Sequence, residues 1–162
     1  MINGINPREM ILEILLQIED GEHSHVAIRN ALSKYQFLPK QDRAFITRVC
    51  EGTLEYRIQI DYIINTFSKV SVDKMKPAIR EILRSAVYQL KYMDSVPDSA
   101  VCNEAVKLAQ RKGFYNLKPF VNGVLRTIAR DMDKVSFPKK EEDILKYLSV
   151  KYSMPETLVT RW

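Results

Sequence analysis

The spacing of the apolar residues is the feature that most constrains how this chain folds. In almost every segment these residues recur three and four positions apart, as Ile11, Ile14 and Ile18 do near the N-terminus. This period places apolar side chains on one face of an α-helix, whereas half-buried strands show strict alternation, a pattern that the sequence lacks. The sequence therefore predicts an all-α domain.

Prolines, glycines and capping residues divide this pattern into helices. Gly21 and Gly113 are typical of helix ends, because glycine adopts the left-handed conformation there without steric cost. Gly52 lies inside the longest helix, which runs from Pro39 to Ile63, and is the point at which we expect that helix to bend. Up to residue 134 the sequence predicts six helices: five begin near Asn6, Ser24, Pro39, Pro77 and Asn116, and one follows a turn over residues 95–99. One more short helix is predicted around Ile144 to Tyr152.

The two halves of this pattern resemble each other. Val26 and Phe45 are each matched by an identical residue 75 positions later, at Val101 and Phe120. In each half, a helix that begins at a proline, a short helix and a longer helix follow in the same order. The similarity suggests two packed three-helix subdomains within residues 1–134, followed by a short helical extension over residues 135–162.

The last residues of the chain have the pattern of a helix start. Ser153 and Glu156 have the spacing of a capping box, with Pro155 between them in the first turn. A helix start so close to the last residue predicts that the chain is part of a longer protein. The alternative is a frayed natural terminus.

Composition excludes several classes of protein. No stretch reaches the roughly 18 apolar residues that a membrane span needs, and acidic residues interrupt the apolar N-terminal segment, unlike a secretory signal. The two cysteines, Cys50 and Cys102, are too few for a disulfide framework or a zinc cluster. We therefore expect a cytoplasmic protein without membrane contact.

Residue patterns that carry catalysis are also missing. The sequence contains neither a dinucleotide-binding fingerprint nor a phosphate-binding loop. His23 and His25 are two positions apart, so their side chains diverge on a helix, and no third ligand follows at metal spacing. No histidine lies near either cysteine in the sequence to activate it as a nucleophile. We expect no catalytic, metal-binding or cofactor-binding residue in this chain.

Positive charge is concentrated in one segment. The formal net charge is +5, and the segment from Ala105 to Arg130 contains six basic residues and no acidic one. A local positive field of this kind attracts a polyanion, and the alternative is an ordinary solvated helix face. The candidate RNA-binding residues, which follow at helical spacing, are Lys107, Arg111, Lys112, Lys118, Asn122, Arg126 and Arg130.

Several members of this segment have a structural alternative. Asn122 also suits a hydrogen bond inside the core, because buried amides are retained when they are hydrogen-bonded. Arg126 also suits an ion pair with Glu104 or Asp61. The turn residues Phe114 and Tyr115 suit either stacking on an unpaired RNA base or the edge of the core.

Two segments resemble the NusB family of helical RNA-binding domains. The first joins Asp-Arg-Ala-Phe-Ile, from Asp42, to Gly-Thr-Leu, from Gly52, and the second ends in Phe-Val-Asn-Gly-Val-Leu-Arg at Arg126. The resemblance extends from about Pro7 to Arg130 and implies a NusB-like helical bundle that binds RNA. The chain departs from the family pattern at Glu55, where relatives often carry arginine, and near its N-terminus, where it has one arginine instead of several.

Residues 151–162 resemble a linker found in one branch of that family, although Thr157 replaces an expected tryptophan. In that branch a methyltransferase domain follows the helical domain and forms 5-methylcytosine in small-subunit ribosomal RNA. The resemblance implies S-adenosylmethionine as cofactor of the full-length protein, and ribosomal RNA and its own methyltransferase domain as partners. Two alternatives remain: a stand-alone transcription antitermination factor, and a protein-interaction module that docks on the catalytic domain or on a ribosomal protein.

Overall fold

The computed structural model describes residues 5–136, 149–153 and 155, and the secondary structure in these ranges is helical, without a strand. The all-α prediction is confirmed. Three short 3-10 turns, Val72–Lys74, Tyr115–Leu117 and Met132–Lys134, accompany the α-helices. The α-helices are α1 (Pro7–Glu19), α2 (Ser24–Lys34), α3 (Lys40–Glu55), α4 (Arg57–Phe67), α5 (Pro77–Tyr92), α6 (Asp98–Arg111) and α7 (Lys118–Asp131).

Local sequence signals place several helix ends correctly, although α6 begins at Asp98, inside the predicted turn, and α7 begins at Lys118 and not near Asn116. The Asn6 side chain accepts hydrogen bonds from the backbone N–H groups of Arg8 (2.9 Å) and Glu9 (3.4 Å), as expected of an N-cap. Gly21 and Gly113 adopt positive φ angles of 111° and 87° just after α1 and α6. Because L-residues rarely adopt this conformation, glycine is favoured at both helix ends.

The prediction of one long helix from Pro39 to Ile63 is wrong. The segment forms two helices, α3 and α4, which are separated at Tyr56 and not at Gly52. Gly52 is buried within α3, where a Cβ atom would overlap the ring of Tyr88 on α5. The glycine therefore allows close packing of α3 against α5, and it does not bend the helix.

Helix α5 lies at the centre of the bundle. Every residue from 81 to 90 is buried, and α5 packs against α1, α3, α4, α6 and α7. The buried apolar residues of the bundle form one continuous cluster that includes residues from all seven helices. A shared core of this kind does not confirm the division into two three-helix subdomains.

A charged cluster beside α5, in which Glu81 and Arg84 are buried, ties three helices together. The Arg84 guanidinium donates to both carboxylate oxygens of Asp61 on α4, each at 2.8 Å, and to Glu81 at 2.7 Å. Arg80, one turn earlier, is hydrogen-bonded to Glu19 at the end of α1. Burial, together with the neighbouring Glu19, raises the pKa of Glu81. This cluster aligns α1, α4 and α5.

Residues 149–153 pack against the start of α4. Val150 is buried there, and the Ser153 hydroxyl accepts hydrogen bonds from the backbone N–H groups of Ile58 (2.9 Å) and Gln59 (3.4 Å). The Gln59 side chain donates to the carbonyl oxygen of Lys151 at 3.0 Å. α4 has no cap from its own preceding residue, so Ser153 supplies one from a distant part of the chain. The rest of the predicted extension over residues 135–162 lies mostly outside the described residues.

Candidate nucleic-acid interface

The predicted RNA-binding residues lie on two neighbouring helices. α6 and α7 pack against each other, and the turn Tyr115–Leu117 precedes α7. α7 buries one face because its apolar residues recur three and four positions apart, which leaves the opposite face for polar side chains. We call the predicted set the basic ridge: Lys107, Arg111, Lys112, Lys118, Asn122, Arg126 and Arg130.

Two cations of the basic ridge contact neutral amide groups. The Lys118 ammonium donates to Gln110 Oε1 at 2.8 Å. Arg126 donates to Asn103 Oδ1 at 2.8 Å and to Asn122 Oδ1 at 3.1 Å. These amides orient the cations without cancelling their charge. We call Lys118 and Arg126 the amide-held cations.

Asn122 and Arg126 contact each other and not the partners that the structural alternatives predicted. Neither ion pair predicted for Arg126 is formed. Its guanidinium donates to Asn103 and Asn122, whereas Asp61 pairs with Arg84 and Glu104 with Lys107. Asn122 is half-buried and uses its side-chain oxygen for Arg126, at the surface of the bundle. Asn103, which the sequence-based prediction omitted, is therefore a third member of the group. Its position 23 residues before Arg126 hides the contact in the sequence.

The other four cations contact carboxylates. Lys107 lies 3.6 Å from Glu104, and Arg130 lies 3.0 Å from Asp131. The remaining pairs join α6 to α1, with Arg111 3.8 Å and Lys112 3.4 Å from Glu9, and Lys112 hydrogen-bonded to Glu13.

These carboxylates reduce the local positive field, but the ion pairs remain at least partly exposed to solvent. The hydrogen bond that Lys112 donates to Glu13 raises the pKa of Lys112. Exposed ion pairs contribute only about 0–1 kcal/mol each. A phosphate group can therefore replace such a carboxylate at low cost.

The two aromatic residues of the turn differ in exposure. Phe114 is half-buried against the hydrophobic core, in agreement with the structural alternative. Tyr115 is 64% exposed, and the Lys118 ammonium lies 4.7 Å from the centroid of its ring. Tyr115 therefore offers an aromatic ring beside a cation whose charge is not offset by a carboxylate. This arrangement suits an unpaired base and its phosphate.

The N-terminal arginine is packed into the bundle. Arg8 donates to Gln89 Oε1 at 3.3 Å, and its guanidinium carbon lies 5.1 Å from the centroid of the Phe45 ring. Burial lowers the pKa of Arg8. Arg8 therefore has a structural role in the bundle, which the sequence did not reveal.

Arg43, within the first segment of family resemblance, also has a structural contact. Its guanidinium donates to the carbonyl oxygens of Leu32 (2.8 Å) and Tyr35 (3.2 Å). These carbonyls lie at the C-terminal end of α2, where helix carbonyl groups lack intrahelical partners. The arginine therefore joins α2 to α3.

The remaining candidate groups lie in apolar or isolated positions. Cys50 and Cys102 are buried, and burial raises the pKa of both thiols. Within residues 5–136, 149–153 and 155, no three side chains of His, Cys, Asp or Glu are placed to hold a metal ion. No helix in these ranges is long and apolar enough to cross a membrane.

Comparison with known proteins decides the family. Residues 5–130 match the model of the NusB family. The chain belongs to the NusB family. The matched range agrees with the resemblance between about Pro7 and Arg130, so the family prediction is confirmed.

Relatives within the NusB family are of two kinds. The chain is 33% identical over 157 residues to "Probable ribosomal RNA small subunit methyltransferase B" of Bacillus subtilis (strain 168), covering 96% of this chain and 34% of that protein. It is 34% identical over 134 residues to "Transcription antitermination protein NusB" of Dictyoglomus thermophilum, covering 82% of this chain and 88% of that protein. The chain thus spans about a third of the length of the methyltransferase relative.

A solved structure shares the NusB fold. The bundle superimposes with a TM-score of 0.70 on a chain of "Crystal Structure of Antitermination Factors NusB and NusE in complex with dsRNA". The two chains are 22% identical, and the superposition covers 76% of this chain and 93% of that one. At this level of identity the comparison shows the fold alone.

Proposed function

We propose that this chain is the RNA-targeting domain of a methyltransferase that acts on cytosine in small-subunit ribosomal RNA. The observation that carries the proposal is the pair of amide-held cations on α7, one of which, Lys118, lies beside the exposed ring of Tyr115. In this role the domain binds the RNA backbone and presents a cytosine to a catalytic domain outside this chain.

The geometry of Arg126 suits a phosphate. A guanidinium group offers five N–H donors in a planar fork, and two of its nitrogens already donate to Asn103 and Asn122. These two hydrogen bonds restrict the side chain before RNA arrives, which lowers the entropic cost of binding. Donors that remain free on the outer edge can then contact a phosphate oxygen.

The methyl transfer itself is assigned to a different part of the protein. The sequence has no glycine-rich loop of the kind that approaches a nucleotide cofactor, and both cysteines are buried with raised pKa values. These residues do not fit S-adenosylmethionine or a cysteine nucleophile. The relation to the methyltransferase from B. subtilis, which extends over 96% of this chain, supports such a domain downstream.

A second candidate function is that of a stand-alone transcription antitermination factor. The similarity to the D. thermophilum factor, which covers 88% of that protein, favours it. A solved NusB structure also contains NusE and double-stranded RNA, so a ribosomal-protein partner is part of this alternative. A methylation assay with the complete gene product, S-adenosylmethionine and small-subunit ribosomal RNA separates the two functions: incorporation at cytosine supports the methyltransferase, and none supports the antitermination factor.

The RNA-binding role is tested with this chain and small-subunit ribosomal RNA over a salt series. We expect the affinity to fall steeply with salt, and Lys118→Glu and Arg126→Glu each to weaken binding about tenfold and to reduce the salt slope by about one. Lys69→Glu, an exposed charge reversal in the α4–α5 connection, is the matched control. Absent RNA binding at low salt, or binding that both ridge substitutions leave unchanged, would overturn the RNA-binding role. A protein pull-down that survives high salt and both substitutions would instead favour a protein-interaction module.

A further inference from the structure

A groove between α1 and α2 adjoins the basic ridge. Its volume is about 480 Å³. Glu9 and Glu13 line it from α1, and the same two carboxylates contact Arg111 and Lys112 at the end of α6. The groove and the ridge therefore share one wall.

The lining combines apolar side chains with polar groups. Met10, Ala31 and Tyr35 provide apolar surface, including one aromatic ring, and the Lys34 ammonium lies 5.4 Å from the centroid of that ring. Gln17 and Asn30 are exposed amides that also line the groove, so the margins hold both donors and acceptors. A nucleobase has the same division, with two apolar faces and an edge of donors and acceptors.

The carboxylates in this wall do not repel a nucleic acid as isolated anions would. Lys112 lies between Glu9 and Glu13, and Arg111 is the second cation beside Glu9. Their charges offset one another, while each carboxylate retains lone pairs that the cations do not use. The groove thus offers strong acceptors next to donors for phosphate.

We infer that the α1–α2 groove takes one unpaired nucleobase bearing an exocyclic amino group, from the RNA strand whose phosphates contact the basic ridge. Carboxylates accept from the amino group of cytosine, and the amide donors of Gln17 or Asn30 suit the acceptors beside it. Uracil has a carbonyl oxygen in place of this amino group, and an oxygen acceptor is repelled by a carboxylate. This inference rests on the proposed RNA-binding function and adds a base preference to it.

The probes are RNA hairpins that share one stem and differ in one loop nucleotide. The reference loop contains only uridines, and a second loop contains one cytidine. We expect this chain to bind the cytidine loop at least about fivefold more tightly. Ala31→Phe fills the groove and should abolish that preference while leaving the affinity for the uridine loop unchanged.

Ser33→Phe is the matched control, because Ser33 is exposed on α2 two residues away and does not line the groove. Asn30→Ala, an exposed truncation, provides a second variant should Ala31→Phe fail to fold, and it should reduce the preference at least twofold.

The outcomes for the groove and for the ridge can be told apart. Equal affinity for both loops, or a preference that survives Ala31→Phe and Asn30→Ala, overturns the groove inference. In that event Lys118→Glu and Arg126→Glu still weaken binding to both loops if the proposed function holds. If the chain binds neither hairpin, the base site is overturned together with the RNA-binding role. If the groove instead binds a peptide, and Ala31→Phe abolishes that binding, the occupant is a peptide and not a base.

Discussion

The basic ridge and the charged cluster beside α5 contain the same residue types in different surroundings. In the cluster, Arg84 is 9% exposed and has two carboxylate partners, whereas on the ridge Arg130 is 70% exposed and has one. Burial makes an ion pair costly to break, because the partner that remains would be an uncompensated charge in an apolar medium. Exposure makes a pair easy to exchange for another anion. Burial thus separates the cations that hold the bundle together from those that are available to bind a ligand.

The charge balance of the charged cluster beside α5 shifts the pKa values of its carboxyl groups. Three carboxyl groups, of Glu19, Asp61 and Glu81, share two guanidinium groups, of Arg80 and Arg84. Burial and the neighbouring Glu19 raise the pKa of Glu81 to about 8, so Glu81 keeps a proton at neutral pH. Although burial acts against it, hydrogen bonds from Glu81 and Arg80 lower the pKa of Glu19.

The largest expected effect comes from removing the buried guanidinium. Arg84→Ala should lower the free energy of unfolding by about 3–5 kcal/mol, because Asp61 loses its partner in a partly buried site. Arg130→Ala is the control and should change it by less than about 1 kcal/mol. Urea unfolding followed by circular dichroism measures both. Equal effects would show that burial does not distinguish the two regions.

The next prediction concerns pH. A raised pKa means that the folded state binds the Glu81 proton more tightly than the unfolded state does. Its contribution is therefore fully present below the unfolded pKa of 4.5 and is lost as the pH rises through about 8. Glu19, with a lowered pKa, acts oppositely and loses its contribution on acidification.

We expect the free energy of unfolding to decrease between pH 6 and 9, and Glu81→Gln to flatten this decrease, in urea titrations at each pH. Glu51→Gln, an exposed acid on α3, is the matched control. A decrease of equal size in the Glu81→Gln protein would assign the pH dependence to other groups.

The contact of residues 149–153 with α4 is intermediate in burial and in expected effect. Ser153→Ala should cost about 1 kcal/mol, as the loss of an N-cap usually does. Ser153→Asn should restore most of this, because asparagine caps well and tolerates the positive φ of 55° at this position. Hydrogen exchange at the Ile58 amide measures the cap directly. Exchange that is as slow with alanine as with serine would contradict it.

The smallest expected effect lies on the exposed ridge. Asp131→Asn removes the carboxylate beside Arg130 and Lys134 and should strengthen RNA binding about twofold, with no measurable change in stability. Asp73→Asn, an exposed acid in the α4–α5 connection, is the control. Fluorescence anisotropy at low salt detects the change. Unchanged binding would show that Arg130 does not contact the RNA.

The candidate site was predictable in part. Lys118, Asn122 and Arg126 share one helix, so their four-residue spacing already indicates a common face. Asn103 and the carboxylates of Glu9 and Glu13 belong to other helices, and only packing brings them to the ridge. The segment from Ala105 to Arg130 contains no acidic residue, but the fold brings carboxylates from another helix next to it.

The sequence by itself determined the helical architecture, the cap at Asn6, the glycine ends at Gly21 and Gly113, and the family, since these depend on short-range spacing and local backbone conformation. Tertiary structure alone decided that the long helix breaks at Tyr56, that Arg84 joins Asp61, and that Ser153 caps α4. These contacts join residues far apart in the chain. Their partners are selected by burial and packing, and no local pattern records that choice.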